Sequence, residues 1–309
     1  IKSKLPIKNV ENILSKKIHW IENKKVSFKE IGLSVPDLFF QAGWYKKSFK
    51  SLGDEVRRNG GNVVLLSDNK YRGDFKQFIG SIIYRVMYLK AFKAVWVPGA
   101  SGRKLMNKFG VNKNNIYEGL YASNENIYYS KEALSNRNKT FLYVGQFNNR
   151  KGFRELLYSF CEFIKTNPEW TLTLIGTGPL DHIVPESKNI IKINFTTPEE
   201  VAKYMRSSRF LILPSKNDNW PLVVSEAAMC GCGLILSDKV GNIEELANKS
   251  NSFILNYKIK KSLVNSMKQA SLLNDTQLNI MHEESLKLGS NYTIQKWMNR
   301  YRKLESDFY

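Results

Sequence analysis

Short apolar runs alternate with longer segments of helical periodicity along most of the chain. Residues 36–42 (PDLFFQA), 62–67 (NVVLLS) and 94–98 (AVWVP) are apolar stretches bounded by turn formers. That pattern predicts strands buried on both faces of a parallel sheet. Residues 46–58 read as a helix stopped at Asn59, Gly60 and Gly61, and 101–109 as a basic helix. The second half repeats the alternation, with strands expected at 140–145, 171–175, 190–194, 209–213 and 233–237 and helices at 152–165, 198–207 and 221–230. Residues 260–305 are mostly helical in pattern. Such β–α alternation predicts an α/β chain of doubly wound sheets. The polar stretch 130–139 carries no apolar periodicity and is the expected linker. It divides an N-terminal domain, 1–130, from a C-terminal one, 139–290, with a last helix at 291–309 packing back toward the first.

Residues 75–93 place Phe75, Phe78, Ile79, Ile82, Ile83 and Val86 at helical spacing. The stripe predicts a helix packed on the sheet. The alternative is an interfacial helix that meets an anionic membrane, because Lys76, Arg85, Lys90 and Lys93 flank the stripe.

The 309 residues suffice for two domains, each with a core, and 42% hydrophobic with 24% charged residues is a globular composition. No run of eighteen apolar residues occurs, so no membrane span is expected; the location expected is cytoplasmic, with a peripheral place at the membrane's inner face as the alternative. Cys161, Cys230 and Cys232 are too few for a disulfide framework, and the last two cannot fill a zinc site, so they read as small packing residues.

Charge changes the picture more. Lys and Arg total 47 against 28 Asp and Glu, a net +19. Residues 1–110 hold 22 basic and 8 acidic side chains (+14), and 111–309 hold 25 and 20 (+5). Such a field attracts nucleic acid, anionic lipid or phosphorylated substrates. A nucleic-acid binder would interleave basic and aromatic residues on a known scaffold; no such motif is present, so no nucleic-acid partner is expected.

The chemistry concentrates in residues 215–233, SKNDNWPLVVSEAAMCGCG. Asp218 lies in a loop after a strand, and eight positions later Glu226 falls inside the next helix. Asn219, Trp220, Pro221, Leu222 and Val223 form the junction between them, where free backbone N–H groups point at any anion or hydroxyl-rich ligand. Ligands of open α/β sheets bind at the carboxyl ends of the strands, where this loop lies. Taken alone, Asp218 and Glu226 could be a loop cap and a solvated helix residue, Lys151 a surface lysine, and Gly176 and Gly178 a plain turn.

Taken together, these residues resemble the donor site of family 4 retaining glycosyltransferases (glycosyl transferases group 1). In that family the pattern is Glu, seven residues, Glu, then a helix of small residues. The resemblance extends in order through Phe141–Gly152 (FLYVGQFNNRKG), Leu174–Leu180 (LIGTGPL) and Ser237–Glu245 (SDKVGNIEE), each at a strand end, and covers about 139–247. It implies a GT-B fold: two Rossmann-like doubly wound domains facing a cleft, the N-terminal one short. It also implies Asp218 as the catalytic contact to sugar hydroxyls, Glu226 on the ribose, and the Asn219–Val223 backbone around sugar and phosphate. Gly145, Gln146, Arg150 and Lys151 would face the diphosphate, with Gly176 and Gly178 against the nucleotide. Asp218 departs from the family's longer Glu. Gln146 stands where the family has Arg, and Arg150 is the candidate substitute.

In the N-terminal half the family's opening strand and Gly-rich loop are not found. The loops Gln41–Tyr45 and Ser67–Arg72 follow predicted strands and should face the cleft. There Asp68 and Asn69 are catalytic candidates, and Trp44 and Arg72 acceptor candidates, against an Asx turn and a core aromatic as alternatives. His19, His182 and His282 are scattered and carry no assigned role. The resemblance implies transfer of a sugar from a UDP- or GDP-linked donor to a glycan or lipid-linked acceptor. It implies retained configuration, no metal or other cofactor, and a setting in bacterial surface polysaccharide assembly. The rivals are a non-catalytic sugar-nucleotide-binding subunit and, further behind, a basic nucleic-acid-binding protein suggested by the charge alone.

Overall fold

The computed structural model describes residues 18–19, 21–256, 258–259 and 261–308. Two parallel sheets organise them. The first runs β1 (Leu38–Ala42), β2 (Asn62–Leu66), β3 (Ala94–Val97), β4 (Ile116–Glu118) in that spatial order. Helices α1 (Lys47–Arg58), α2 (Phe75–Met87) and α3 (Ala100–Lys108) connect its strands. The second contains β5 (Asn138–Val144), β6 (Thr171–Ile175), β7 (Ile190–Ile193), β8 (Ser208–Leu213), β9 (Gly233–Ser237) and β10 (Ser252–Leu255), in the order β10-β9-β8-β5-β6-β7. Its helices are α4 (Phe153–Phe163), α5 (Pro198–Ser207), α6 (Leu222–Met229), the short α7 (Ile243–Leu246), α8 (Ser262–Ser271) and α9 (Asp275–Gly289), followed by α10 (Ile294–Ser306).

The central strands of the second sheet are apolar on both faces because helices cover both. Phe141, Leu142, Phe210, Leu211, Ile212, Leu234 and Ile235 are fully buried. Phe141 stacks on Trp170 at 4.4 Å between ring centroids. Helix α4 buries Phe153, Leu156, Leu157, Phe160 and Phe163, the three-and-four spacing of one helical face. Burying each such side chain contributes roughly 1.5–3 kcal/mol. Cys230 and Cys232 are buried thiols in this core, and Cys161 is half-buried and free.

Residues 130–139 are not a loose connection. Leu134 is fully buried, and the buried Arg137 guanidinium donates to the carbonyls of Glu132, Met205, Ser208 and Cys230. Tyr128 also belongs to the core of the second sheet. The anchor is a polar side chain satisfied by carbonyls, which apolar periodicity does not register.

Helix α10 crosses to the first sheet. Trp297 stacks on Trp96 at 5.2 Å and donates its Nε1–H to Leu120 O at 2.9 Å, and Leu304 is fully buried among Val64, Ala94 and Trp96.

Helix α2 departs from the expectation that its apolar stripe packs on the sheet. Its buried residues are Gln77 and Tyr84, whereas Phe75, Phe78, Ile79, Ile82, Ile83 and Val86 face solvent. An aromatic cluster fills the space below: Tyr84 meets Trp44, Phe92 and Phe109. No helix among the described residues is long and apolar enough to cross a membrane.

Candidate active site

The loops after β5, β6, β8 and β9 meet at the carboxyl edge of the second sheet. After β5, the Asn148 side chain accepts from Lys151 N at 3.0 Å and caps the turn 149–151 that sets Lys151. Gly152 follows at φ 69°, and a Cβ there would lie 2.1 Å from Pro214 O at the end of β8. At Gly176, φ 139°, a Cβ would lie 2.1 Å from Gly145 O. Only glycine lets these loops touch. At Gly178 a Cβ would lie 2.5 Å from Phe147 O.

This contact carries Lys151 to Asp218. Lys151 Nζ stands 2.5 Å from Asp218 Oδ2, with the two side chains 13% and 11% exposed. Arg150 Nη1 lies 3.8 Å from Asp218 Oδ1 and donates to Asn217 O at 3.0 Å. Ser215 Oγ donates to Asp218 Oδ2 at 3.4 Å, and Asp218 N to Lys239 O at 3.2 Å. Gln146 is exposed; its Oε1 accepts from Asn148 Nδ2 at 3.0 Å and its carbonyl from the Tyr143 hydroxyl at 2.7 Å.

Pro221 is the residue before the first helical turn of α6 rather than inside it, and its carbonyl accepts from Asn242 Nδ2 at 3.0 Å. Val224, Ser225, Ala227, Ala228 and Met229 face the core, so Leu222, Val223 and Glu226 form the open side of the helix. Burial pushes the Glu226 carboxyl up to about 7, against the lowering effect of its hydrogen bond from the Tyr128 hydroxyl. Asn219 is half-buried. The Trp220 ring is buried against Tyr292 at 5.5 Å and against Gly99 of the other sheet's β3–α3 loop, which leaves the backbone at this position as the part expected to line the pocket.

The first sheet contributes from its own strand ends. Asp68 and Asn69 are exposed and line one cavity with Trp44, Tyr45, Leu120 and Tyr121. Asp68 accepts from the Tyr121 hydroxyl, whose pKa is pushed up to about 12 by burial and then by Asp68. Trp44 is half-buried, edge-on to Tyr84 at 5.7 Å and Tyr88 at 5.0 Å. Arg72 is not part of that cavity: it pairs at 2.7 Å with Asp74 Oδ2, and Asp74 caps α2 by accepting from Gln77 N.

Four residues with a place here escaped sequence reasoning. Lys70 crosses from the β2 loop to donate its Nζ–H to Lys239 O; burial holds its pKa below the ordinary lysine value, with the Asp218 charge pulling it back up. It lay within the loop already singled out, between two polar neighbours. Tyr121 and Tyr128 hold Asp68 and Glu226. Glu245 Oε1 accepts from Ala100 N at 2.7 Å, joining α7 to the start of α3, and burial pushes this carboxyl up to about 7.

Solved structures share this architecture at low sequence identity. Sucrose-phosphate synthase from Thermosynechococcus elongatus superposes with TM-score 0.69 at 14% identity, covering 91% of this chain and 76% of that one. HepE from Anabaena, solved with UDP, gives 0.70 at 14% identity over 86% and 78%. Trehalose-6-phosphate synthase from Burkholderia multivorans gives 0.69 at 14% over 90% and 74%. The fold is GT-B, two Rossmann-like units facing a cleft. An uncharacterized glycosyltransferase of Haemophilus influenzae is 28% identical over 200 residues, 61% of this chain and 54% of the relative, so the match spans about half the relative's length. Residues 125–285, just over half of the sequence, match the model of glycosyl transferases group 1, and the chain belongs to that family.

Proposed function

We propose that this glycosyltransferase moves a hexose-like unit from a nucleoside-diphosphate sugar, UDP- or GDP-linked, to a hydroxyl of a glycan or lipid-linked acceptor, with retention at the anomeric carbon. One observation carries the reading: Lys151, Arg150 and, from the opposite sheet, Lys70 gather around Asp218 where the strand ends face the cleft. A diphosphate entering there takes over the cations. Asp218, released from Lys151, then accepts hydrogen bonds from the sugar hydroxyls. As the bond from the anomeric carbon to the diphosphate oxygen breaks, negative charge grows on the leaving group, and fixed cations in a half-buried site stabilise it. The acceptor oxygen bonds the anomeric carbon on the same face, and its proton passes to a departing phosphate oxygen. No protein nucleophile is needed, and the three cations supply the positive charge a metal would otherwise bring.

Glu226, on the open side of α6, accepts from the ribose hydroxyls. The neutral Gln146 is offset by Arg150, already within reach of Asp218. The class of donor is supported by HepE, of the same fold, which was solved with UDP-glucose. Bacterial surface polysaccharide assembly is the setting we propose. The test is a melting-temperature screen of the purified chain against UDP, GDP and their sugars, since a ligand of the folded state alone raises the melting temperature. A rise with one nucleoside diphosphate, lost in Lys151→Ala, supports the reading. No rise with any of them at millimolar concentration rejects it.

A further inference from the structure

Among the described residues, helix α2 leaves its apolar face exposed. Exposure runs from 40% at Ile83 through 61% at Phe78 and 74% at Phe75 to 81% at Val86. At about 100° per residue these positions, with Ile79 and Ile82, share one side, and the buried Gln77 and Tyr84 lie opposite. Lys76 and Arg85 fall on the two borders of the stripe, and both are exposed. Lys90, Lys93, Lys104 and Lys108 are exposed on the segments beside it. Across residues 69–110 there are nine basic side chains and a single acidic one, Asp74, which is engaged with Arg72.

We propose that this face docks the protein on an anionic lipid bilayer. The stripe and its borders match the interfacial helix, whose apolar side chains enter the acyl boundary while cations meet lipid phosphates. The 13 residues of α2 span about 20 Å, short of a hydrocarbon core of about 30 Å, so the helix lies in the surface rather than across it. A second copy of the chain is the less favourable cover. It would press one +14 half against another, whereas anionic lipid neutralises the same charge. The geometry also links the surface to the cleft. The loop carrying Asp68, Asn69 and Lys70 runs directly into α2 through its cap Asp74, so a docked α2 holds that loop over the membrane. The inference rests on exposure and charge, not on the transfer reading.

The experiment is co-sedimentation of the purified chain with vesicles of phosphatidylglycerol and phosphatidylcholine, or of phosphatidylcholine alone. The expected result is binding to the anionic vesicles at least roughly tenfold tighter than to neutral ones, weakening with salt. Phe78→Glu with Val86→Glu, both at exposed sites, should lower it by roughly tenfold or more, and Lys90→Glu with Lys93→Glu should lower it with a shallower salt dependence. The melting shift with a nucleoside diphosphate should survive in both double variants, which separates this face from the donor site. No binding to anionic vesicles, or binding untouched by Phe78→Glu with Val86→Glu, overturns the proposal. So does a dimer in light scattering that the same double variant disperses.

Discussion

Glu226→Gln tests the burial of the carboxylate on α6 through its pH dependence. In the unfolded chain this carboxyl titrates near 4.5, and in the folded protein burial moves it to about 7. Below pH 4.5 it is neutral in both states and contributes no pH-dependent term. Between 4.5 and 7 the folded state holds a proton that the unfolded state has lost, so stability falls as pH rises through this window and stays lower above it. The gap of about 2.5 pH units, at about 1.4 kcal/mol each, sets a ceiling of about 3.5 kcal/mol. Water reaches the open side of α6, which lowers the expected effect to about 1–2 kcal/mol. Glutamine keeps the shape and can accept from Tyr128 without charge. The variant should therefore match the parent near pH 4.5 and exceed it by about 1–2 kcal/mol at pH 8. In melting temperature that is roughly 2–5 °C. Thermal melts from pH 4.5 to 8.5 give the difference directly. At pH 8 the same substitution should weaken nucleotide binding by roughly tenfold, because the amide nitrogen cannot accept from a ribose hydroxyl. A variant no more stable than the parent at pH 8, or equally displaced at every pH, refutes the argument.

Other consequences are as concrete. Asp218→Asn should leave nucleoside-diphosphate affinity unchanged or tighter, since it releases Lys151, while turnover of the sugar nucleotide falls roughly 100-fold; equal turnover would reject Asp218 as the sugar contact. Lys151→Ala should weaken UDP or GDP by roughly tenfold or more and leave the bare nucleoside unaffected in calorimetry. Leu304→Ala should cost about 2–5 kcal/mol in the urea transition of the first sheet, because its side chain is fully buried; less than about 1 kcal/mol would mean α10 is not packed there. Gly176→Ala puts a Cβ 2.1 Å from Gly145 O and should lower both melting temperature and nucleotide affinity by forcing the two donor loops apart.

Much of the second sheet could be read from the chain because its central strands are covered on both sides, so 141–144 and 210–213 appear as unbroken apolar runs. Strands β4 and β10 could not: Ile116–Glu118 is too short for either period to show, and Ser252–Leu255 is an edge strand with Ile254 exposed rather than a run buried on both faces. Periodicity reveals that α2 has an apolar face but not which way it points. That direction is set by what already fills the space beneath, here the rings of Trp44, Tyr84, Phe92 and Phe109.

The same division holds at the candidate site. Lys151, Asp218 and Glu226 stand at strand and helix ends of one sheet, so their spacing carries the signal. Lys70 and Trp220 are decided between sheets. Lys70 reaches a carbonyl 169 positions away, and Trp220 is claimed by Gly99, so neither outcome is written in a local window. Helix α10 ties the two sheets together: it follows α9 of the second sheet yet buries Leu304 in the core of the first, and Glu245 bonds separately to the start of α3. If the cleft cations act together, loosening α10 should weaken nucleotide binding through Lys70. Measured in Leu304→Ala below its melting temperature, unchanged affinity would show that Lys151 and Arg150 suffice without Lys70.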